Sequence, residues 1–141
     1  MYYSANGEEL KKFNTRDGMA VELLLKNNIR VILMTKEMSK IVLARGKKIR
    51  ATHSYIGISN KLEKLHEICE KFLVEENEIM YIGDDINDLE IMKRVGFCAS
   101  PSDGVKQIKQ ISDYAPRIHN LEKRARLELD LLIRLEMRDS K

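Results

Sequence analysis

Between residues 29 and 100 short apolar runs alternate with amphipathic stretches of helical length, which restricts the fold more than any other feature of the chain. Residues 29–34 (Ile-Arg-Val-Ile-Leu-Met) read as a buried strand ending at Thr35, and 39–48 as a helix. A strand follows at 54–58, a helix at 60–74, a strand at 78–83, a helix at 85–95, and a short strand at 97–100 closed by Pro101. The cleanest period lies in 60–74, where Leu62, Leu65, Ile68, Cys69, Phe72 and Leu73 share one stripe. Strands spaced by whole helices pair in parallel, because a parallel neighbour needs a crossover. The expectation is an α/β fold, a Rossmann-like parallel sheet with helices on both faces.

Ahead of this pattern, Asn6-Gly7 sits between two strand-like runs, and Asn-Gly tolerates the positive φ of a two-residue hairpin turn. A β-hairpin over residues 1–14 is therefore expected, followed by a helix over 17–27 with Asp17 as its cap. Beyond Pro101, a helix at 105–111, a short segment at Tyr114-Ala115 and a helix at 121–137 complete the chain. With 141 residues and no repeat or linker, it reads as one domain.

The balance of 25 Lys and Arg against 22 Asp and Glu gives a net charge of +3, too small an excess for a dedicated nucleic-acid binder. Lys47, Lys48 and Arg50 have no aromatic residues interleaved with them. No apolar run is long enough for a membrane span, and no leader-like segment opens the sequence. Cys69 and Cys98 make neither a disulfide framework nor a zinc site, and they place the protein in a reducing cytoplasm. His53, His66 and His119 show no ligand spacing and read as structural or surface residues.

In open parallel sheets ligands bind beyond the carboxyl ends of the strands. The sharpest group there is Gly83-Asp84-Asp85-Ile86-Asn87-Asp88. Neighbouring carboxylates raise each other's cost of ionisation, and Mg²⁺ relieves it with one or two carboxylates plus water and phosphate oxygens. A helix cap accounts for one aspartate but not for three acidic positions within five residues, which points to a metal site. Lys61 opens its helix, where a cation suits the dipole only if an anion lies in front; otherwise it is a solvated lysine. Thr35 either offers its hydroxyl and N–H to a phosphate or is an ordinary strand end. Arg16 and Asp17 either face a ligand or are a surface residue and a cap. Together, Thr35, Lys61 and the acidic cluster at successive strand ends form a phosphate-plus-Mg²⁺ constellation.

These residues resemble motifs two, three and four of the haloacid dehalogenase superfamily of phosphatases. The segments Tyr2-Tyr3-Ser4-Ala5-Asn6-Gly7-Glu8-Glu9, Phe13-Asn14-Thr15-Arg16-Asp17-Gly18 and Tyr81-Ile82-Gly83-Asp84-Asp85 resemble its small, capless branch acting on sugar-acid phosphates. That branch includes phosphatases of 3-deoxy-manno-octulosonate 8-phosphate and deaminoneuraminate 9-phosphate, and the C-terminal domain of some acylneuraminate cytidylyltransferases. The resemblance implies an Mg²⁺-dependent phosphatase of an eight- or nine-carbon sugar-acid phosphate. Asp84 is then a metal ligand, Asp85 and Asp88 are supporting acids, and Thr35 and Lys61 hold the phosphoryl group. Arg16, Asp17, Glu37 and Lys48 are implied substrate contacts. The hairpin is implied to build a homotetramer whose neighbouring subunits close the site.

The sequence departs from the family in three places. It holds no Asp-x-Asp, the nucleophile motif, so the expectation is that one central strand, just before the hairpin in relatives, is missing. Its loss is expected to leave a gap between two halves of the sheet. Lys36-Glu37 replaces the octulosonate enzymes' Gly-Arg, and Glu37 with Lys48 looks more like the nine-carbon type. Residues 117–126 carry no glycine where the family has a Gly-Gly-x-Gly tail. A non-catalytic oligomerisation or regulatory domain related to the cytidylyltransferase C-terminal part is the alternative.

Overall fold

The computed structural model describes residues 2–4 and 7–116, so the expected helix at 121–137 lies outside the described residues. The chain divides into two compact units, Met1–Ser59 and a second beginning at Asn60.

In the first unit, β1 (Tyr2–Ser4) pairs antiparallel with β2 (Gly7–Leu10), with an irregularity between Tyr2 and Tyr3. Helix α1 (Arg16–Lys26) starts one residue earlier than expected, and Asp17 is not its cap. Thr15 holds the cap position without a side-chain cap hydrogen bond, and just ahead of it the Asn14 Oδ1 accepts from the Arg16 N–H at 3.0 Å. The helix stops at Asn27, whose Nδ2 donates to the Leu23 carbonyl, and Asn28 turns the chain at φ 62°. Asparagine tolerates that left-handed geometry better than most residues.

Strand β3 (Ile32–Met34) and strand β4 (His53–Tyr55) pair in parallel, joined by helix α2 (Lys40–Ile49). The strand is shorter than the apolar run 29–34. The Ile29 N–H is spent on the end of α1 at Leu24 O, and Val31 exchanges hydrogen bonds with the backbone N–H and hydroxyl of Thr52. Helix α2 rests closely on the strands through Gly46, where a Cβ would lie 2.0 Å from Ser54 Oγ.

The second unit opens with helix α3 (Lys61–Phe72), capped by Asn60, whose Oδ1 accepts from Glu63 N at 3.1 Å. Leu65 and Ile68 are buried on its stripe, but Leu73 is not part of that face. It adopts the left-handed C-cap conformation at φ 54°, which leaves it 91% exposed. Strand β5 (Met80–Ile82) pairs in parallel with β6 (Phe97–Ala99), and Tyr114 adds a parallel bridge at Ala99. Glu78, expected to open β5, belongs instead to a 3₁₀ turn, Glu76–Glu78, where Glu78 Oε2 accepts from Glu75 N at 2.8 Å.

The expected helix at 85–95 is a 3₁₀ turn, Ile86–Asp88, followed by a short α4 (Leu89–Met92). Side-chain carboxylates of Asp85 and Asp88 take the N–H groups at its start and tighten the first turn. Helix α5 (Lys106–Ile111) closes the unit, and Ile91, Met92, Cys98, Ala99 and Ile108 form its core with Leu65 and Ile68. Among the described residues β3 pairs only with β4 and β5 only with β6, so the α/β fold consists of parallel two-stranded ladders with βαβ connections. No helix among them is long and apolar enough to cross a membrane.

In the turn between α4 and β6 the Gly96 N–H donates to Glu76 O at 3.1 Å, and a Cβ there would lie 1.8 Å from the Asn77 carbonyl oxygen. Backbone cannot yield as a flexible side chain does. Gly96→Ala is therefore expected to destabilise the fold by about 1–3 kcal/mol, as overpacking does. A urea titration followed by circular dichroism would detect it, and an unchanged midpoint would contradict the packing.

Candidate active site

The acidic stretch follows β5, and its three carboxylates have separate fates. Asp88 is 2% exposed and accepts hydrogen bonds on both oxygens. Its Oδ2 accepts from the backbone N–H groups of Asp84 at 3.1 Å and Asp85 at 3.2 Å. Its Oδ1 accepts from the Tyr81 hydroxyl at 2.6 Å and pairs with Lys61 Nζ. Burial alone would raise the pKa of Asp88, but the hydrogen bonds from Lys61 and Tyr81 outweigh it and hold the carboxyl below its ordinary value. With its lone pairs committed, Asp88 organises the loop and anchors Lys61.

Asp85 is exposed and caps the following turn, with Oδ1 accepting from Ile86 N at 2.7 Å. Asp84 is also exposed, yet its carboxylate has no ion-pair partner among the described residues. Its pKa is raised, first by partial burial and then by the charge of Asp88, while Lys61 works in the opposite direction. A carboxylate whose charge the protein does not compensate is a fitting hard-oxygen ligand for a cation such as Mg²⁺. Among the described residues no cluster of three or more His, Cys, Asp or Glu side chains is arranged to hold a metal. Mg²⁺ takes one or two protein carboxylates and fills its other positions with water or phosphate oxygens.

Lys61 stands at the N-terminus of α3 and makes a second contact with Asn87 Oδ1 at 3.3 Å. An ammonium has three donors, so one remains beyond Asp88 and Asn87. Tyr81 and Asn87 were not singled out by the sequence reading. A tyrosine within the apolar strand Met80-Tyr81-Ile82 was the available signal, because a buried hydroxyl needs a partner.

In the first unit, Thr35 directly follows β3. Its N–H donates to Tyr55 O at 3.0 Å and its carbonyl accepts from Ile58 N at 3.0 Å. Its Oγ1 accepts from Glu37 N at 3.2 Å, leaving the hydroxyl hydrogen available to an anion. Glu37 pairs with Lys11, which sequence reasoning missed, whereas Lys48 is exposed on α2 and makes no ion pair among the described residues. Asp17 lies 3.5 Å from Arg45 Nη2, and Arg16 is exposed beside it. Arg45, also missed, pins this segment by donating to Asn14 O at 2.6 Å and stacking 5.1 Å from the Phe13 ring centroid.

A separate depression of about 560 Å³, lined by His66, Cys69, Glu70 and Arg94, has its principal polar groups already paired. Glu76 bridges His66 Nε2 at 3.0 Å and Arg94 Nε at 2.9 Å.

Parallel βαβ connections with a lysine-anchored acidic loop define an α/β protein whose candidate site lies beyond the carboxyl end of a strand. The chain belongs to the haloacid dehalogenase-like hydrolase family, whose model matches residues 7–120. It is similar to the 3-deoxy-D-manno-octulosonate 8-phosphate phosphatase KdsC of Escherichia coli (strain K12), with 35% identity over 133 residues, 94% of this chain and 71% of that protein. The crystal structure of 3-deoxy-D-manno-octulosonate 8-phosphate phosphatase from Yersinia pestis matches with a TM-score of 0.85 at 32% identity, covering 94% of this chain and 71% of that one. The Moraxella catarrhalis phosphatase, solved in complex with magnesium ion, phosphate ion and KDO, matches with a TM-score of 0.85 at 28% identity, covering 94% and 76% of the two chains.

Proposed function

We propose that this chain is an Mg²⁺-dependent phosphatase of an eight- or nine-carbon sugar-acid phosphate. The observation that carries the reading is the contrast within one loop, where Asp84 is uncompensated while Asp88 is fully used in anchoring Lys61. On this reading Asp84 holds the cation, which supplies charge neutralisation at the phosphoryl oxygens, and Lys61 donates its remaining N–H to the same group. Asp85 and Asp88 support the loop. The hydroxyl of Thr35 contacts the phosphoryl group, and Arg16, Asp17, Glu37 and Lys48 contact the sugar acid. Relatives bearing the same activity in their names support the substrate class. The 141 residues hold no Asp-x-Asp, so this reading assigns no nucleophile among them. The hairpin is proposed as the element that assembles a cytoplasmic homotetramer.

The test combines phosphate release with binding. Because no nucleophile is assigned among the 141 residues, phosphate release from 3-deoxy-octulosonate 8-phosphate or a nine-carbon analogue is expected with Mg²⁺ once a strand bearing Asp-x-Asp is supplied, to disappear with EDTA and to return on adding Mg²⁺. Inorganic phosphate should also bind in an Mg²⁺-dependent manner by calorimetry. Absence of both would overturn the reading. Binding without turnover would instead support a non-catalytic domain.

A further inference from the structure

We propose that Tyr81 is a positioning residue for Lys61, acting through Asp88; only the identity of the anion that Lys61 holds rests on the phosphatase reading. The Tyr81 hydroxyl and the Lys61 ammonium share one oxygen, Oδ1 of Asp88. The other oxygen is held by the N–H groups of Asp84 and Asp85. Two amides on Oδ2 fix that oxygen in place, but they leave the carboxylate free to pivot about it. The Tyr81 hydroxyl, donating at 2.6 Å, stops the pivot and aims Oδ1 at Lys61.

Lys61 in turn has little latitude. One N–H goes to Asp88 and one to Asn87 Oδ1, so the direction of its last donor is set by where those two oxygens stand. The lysine side chain is 11% exposed, so water does little to replace a misplaced anchor. Phenylalanine at position 81 would keep the ring and remove the hydroxyl that holds Oδ1 independently of Lys61. A tyrosine that merely filled the core would behave differently, because its loss would lower stability without moving the lysine.

The experiment uses the full 141-residue chain as wild type, Tyr81→Phe, Asp88→Asn and the double variant. Competitive acetylation by acetic anhydride, read by peptide mass spectrometry, reports Lys61 reactivity against the exposed Lys48. Relative reactivity of Lys61 is expected to rise about threefold or more in Tyr81→Phe, as loss of a hydrogen bond to a charged group permits. The double variant should match Asp88→Asn alone, because Tyr81 acts through that carboxylate. Calorimetry with inorganic phosphate and Mg²⁺ should show affinity weakened about tenfold in Tyr81→Phe. Lys61 reactivity unchanged within about twofold in folded Tyr81→Phe overturns the proposal whatever the fate of Asp88→Asn. If labelling responds but wild type binds no phosphate, the positioning role stands and the phosphatase reading falls. If wild type binds phosphate and labelling does not respond, the reverse holds.

Discussion

Replacing Asp88 with asparagine should destabilise the folded chain by about 3–5 kcal/mol, although the two side chains have nearly the same shape. The carboxylate is 2% exposed and its partner lysine side chain 11% exposed, so neither is rescued by water. Asparagine brings one acceptor oxygen where two are in use. If that oxygen keeps the backbone amides of Asp84 and Asp85, its NH₂ faces the donors of Tyr81 and Lys61; if it turns, it faces the amides. Either way a buried donor is unsatisfied and the Lys61 charge loses its counterion. A domain of ordinary stability would lose a third or more of its total, and Tm should fall by roughly 10 °C or more.

Acid should reproduce part of this effect in the wild type. The pKa of Asp88 is lowered in the fold, so its contribution is complete above the ordinary carboxylate value of about 3.9 and drains away as pH falls through the lower folded value. Asp88→Asn should lack that acid-side slope. Thermal melts of both proteins from neutral to acid pH test the argument, and a loss below about 1 kcal/mol for Asp88→Asn would contradict it.

How much of this was readable beforehand depended on whether the determining contact was local. The βαβ alternation was legible because apolar periodicity is a property of neighbouring residues, and the expected end of the first helix at residue 27 lies within one residue of the observed end at Lys26. The acidic loop was legible as a cluster, but the roles within it were not. Asp84 and Asp88 are the same residue type four positions apart, and they differ because Lys61 and Tyr81 approach one and not the other. Lys61 lies 27 residues from Asp88, Lys11 lies 26 from Glu37 and Arg45 lies 31 from Asn14, separations at which no local pattern names a partner. Element ends shifted for a similar reason. The side chains of Thr52 and Asp85 took the backbone donors of Val31 and Ile86, which lie in the expected strand and helix, and Glu78 turned back onto the Glu75 N–H instead of opening β5.

Asp84→Asn should give the opposite signature to Asp88→Asn: function lost with the fold intact. The pKa of Asp84 is raised, first by partial burial and then by Asp88, so the folded chain holds a proton there more readily than the unfolded chain does. Its charge therefore opposes folding: the cost builds as pH rises from the ordinary carboxylate value to the raised one and is complete above it. A neutral asparagine removes that opposition at no cost in ion pairs, since the carboxylate has none among the described residues. Without Mg²⁺ the variant should melt at the wild-type temperature or up to a few degrees higher. With Mg²⁺ the wild type should gain stability as any protein does from a ligand bound only by its folded state, and the variant should gain none. Mg²⁺-dependent binding of inorganic phosphate should weaken by about 10²-fold or more, the scale on which a charge partner of a bound phosphoryl group is lost. Melting curves at several Mg²⁺ concentrations separate the two aspartates directly. An Asp84→Asn chain that unfolds as readily as Asp88→Asn, or that still responds to Mg²⁺, would move the metal ligand elsewhere in the protein.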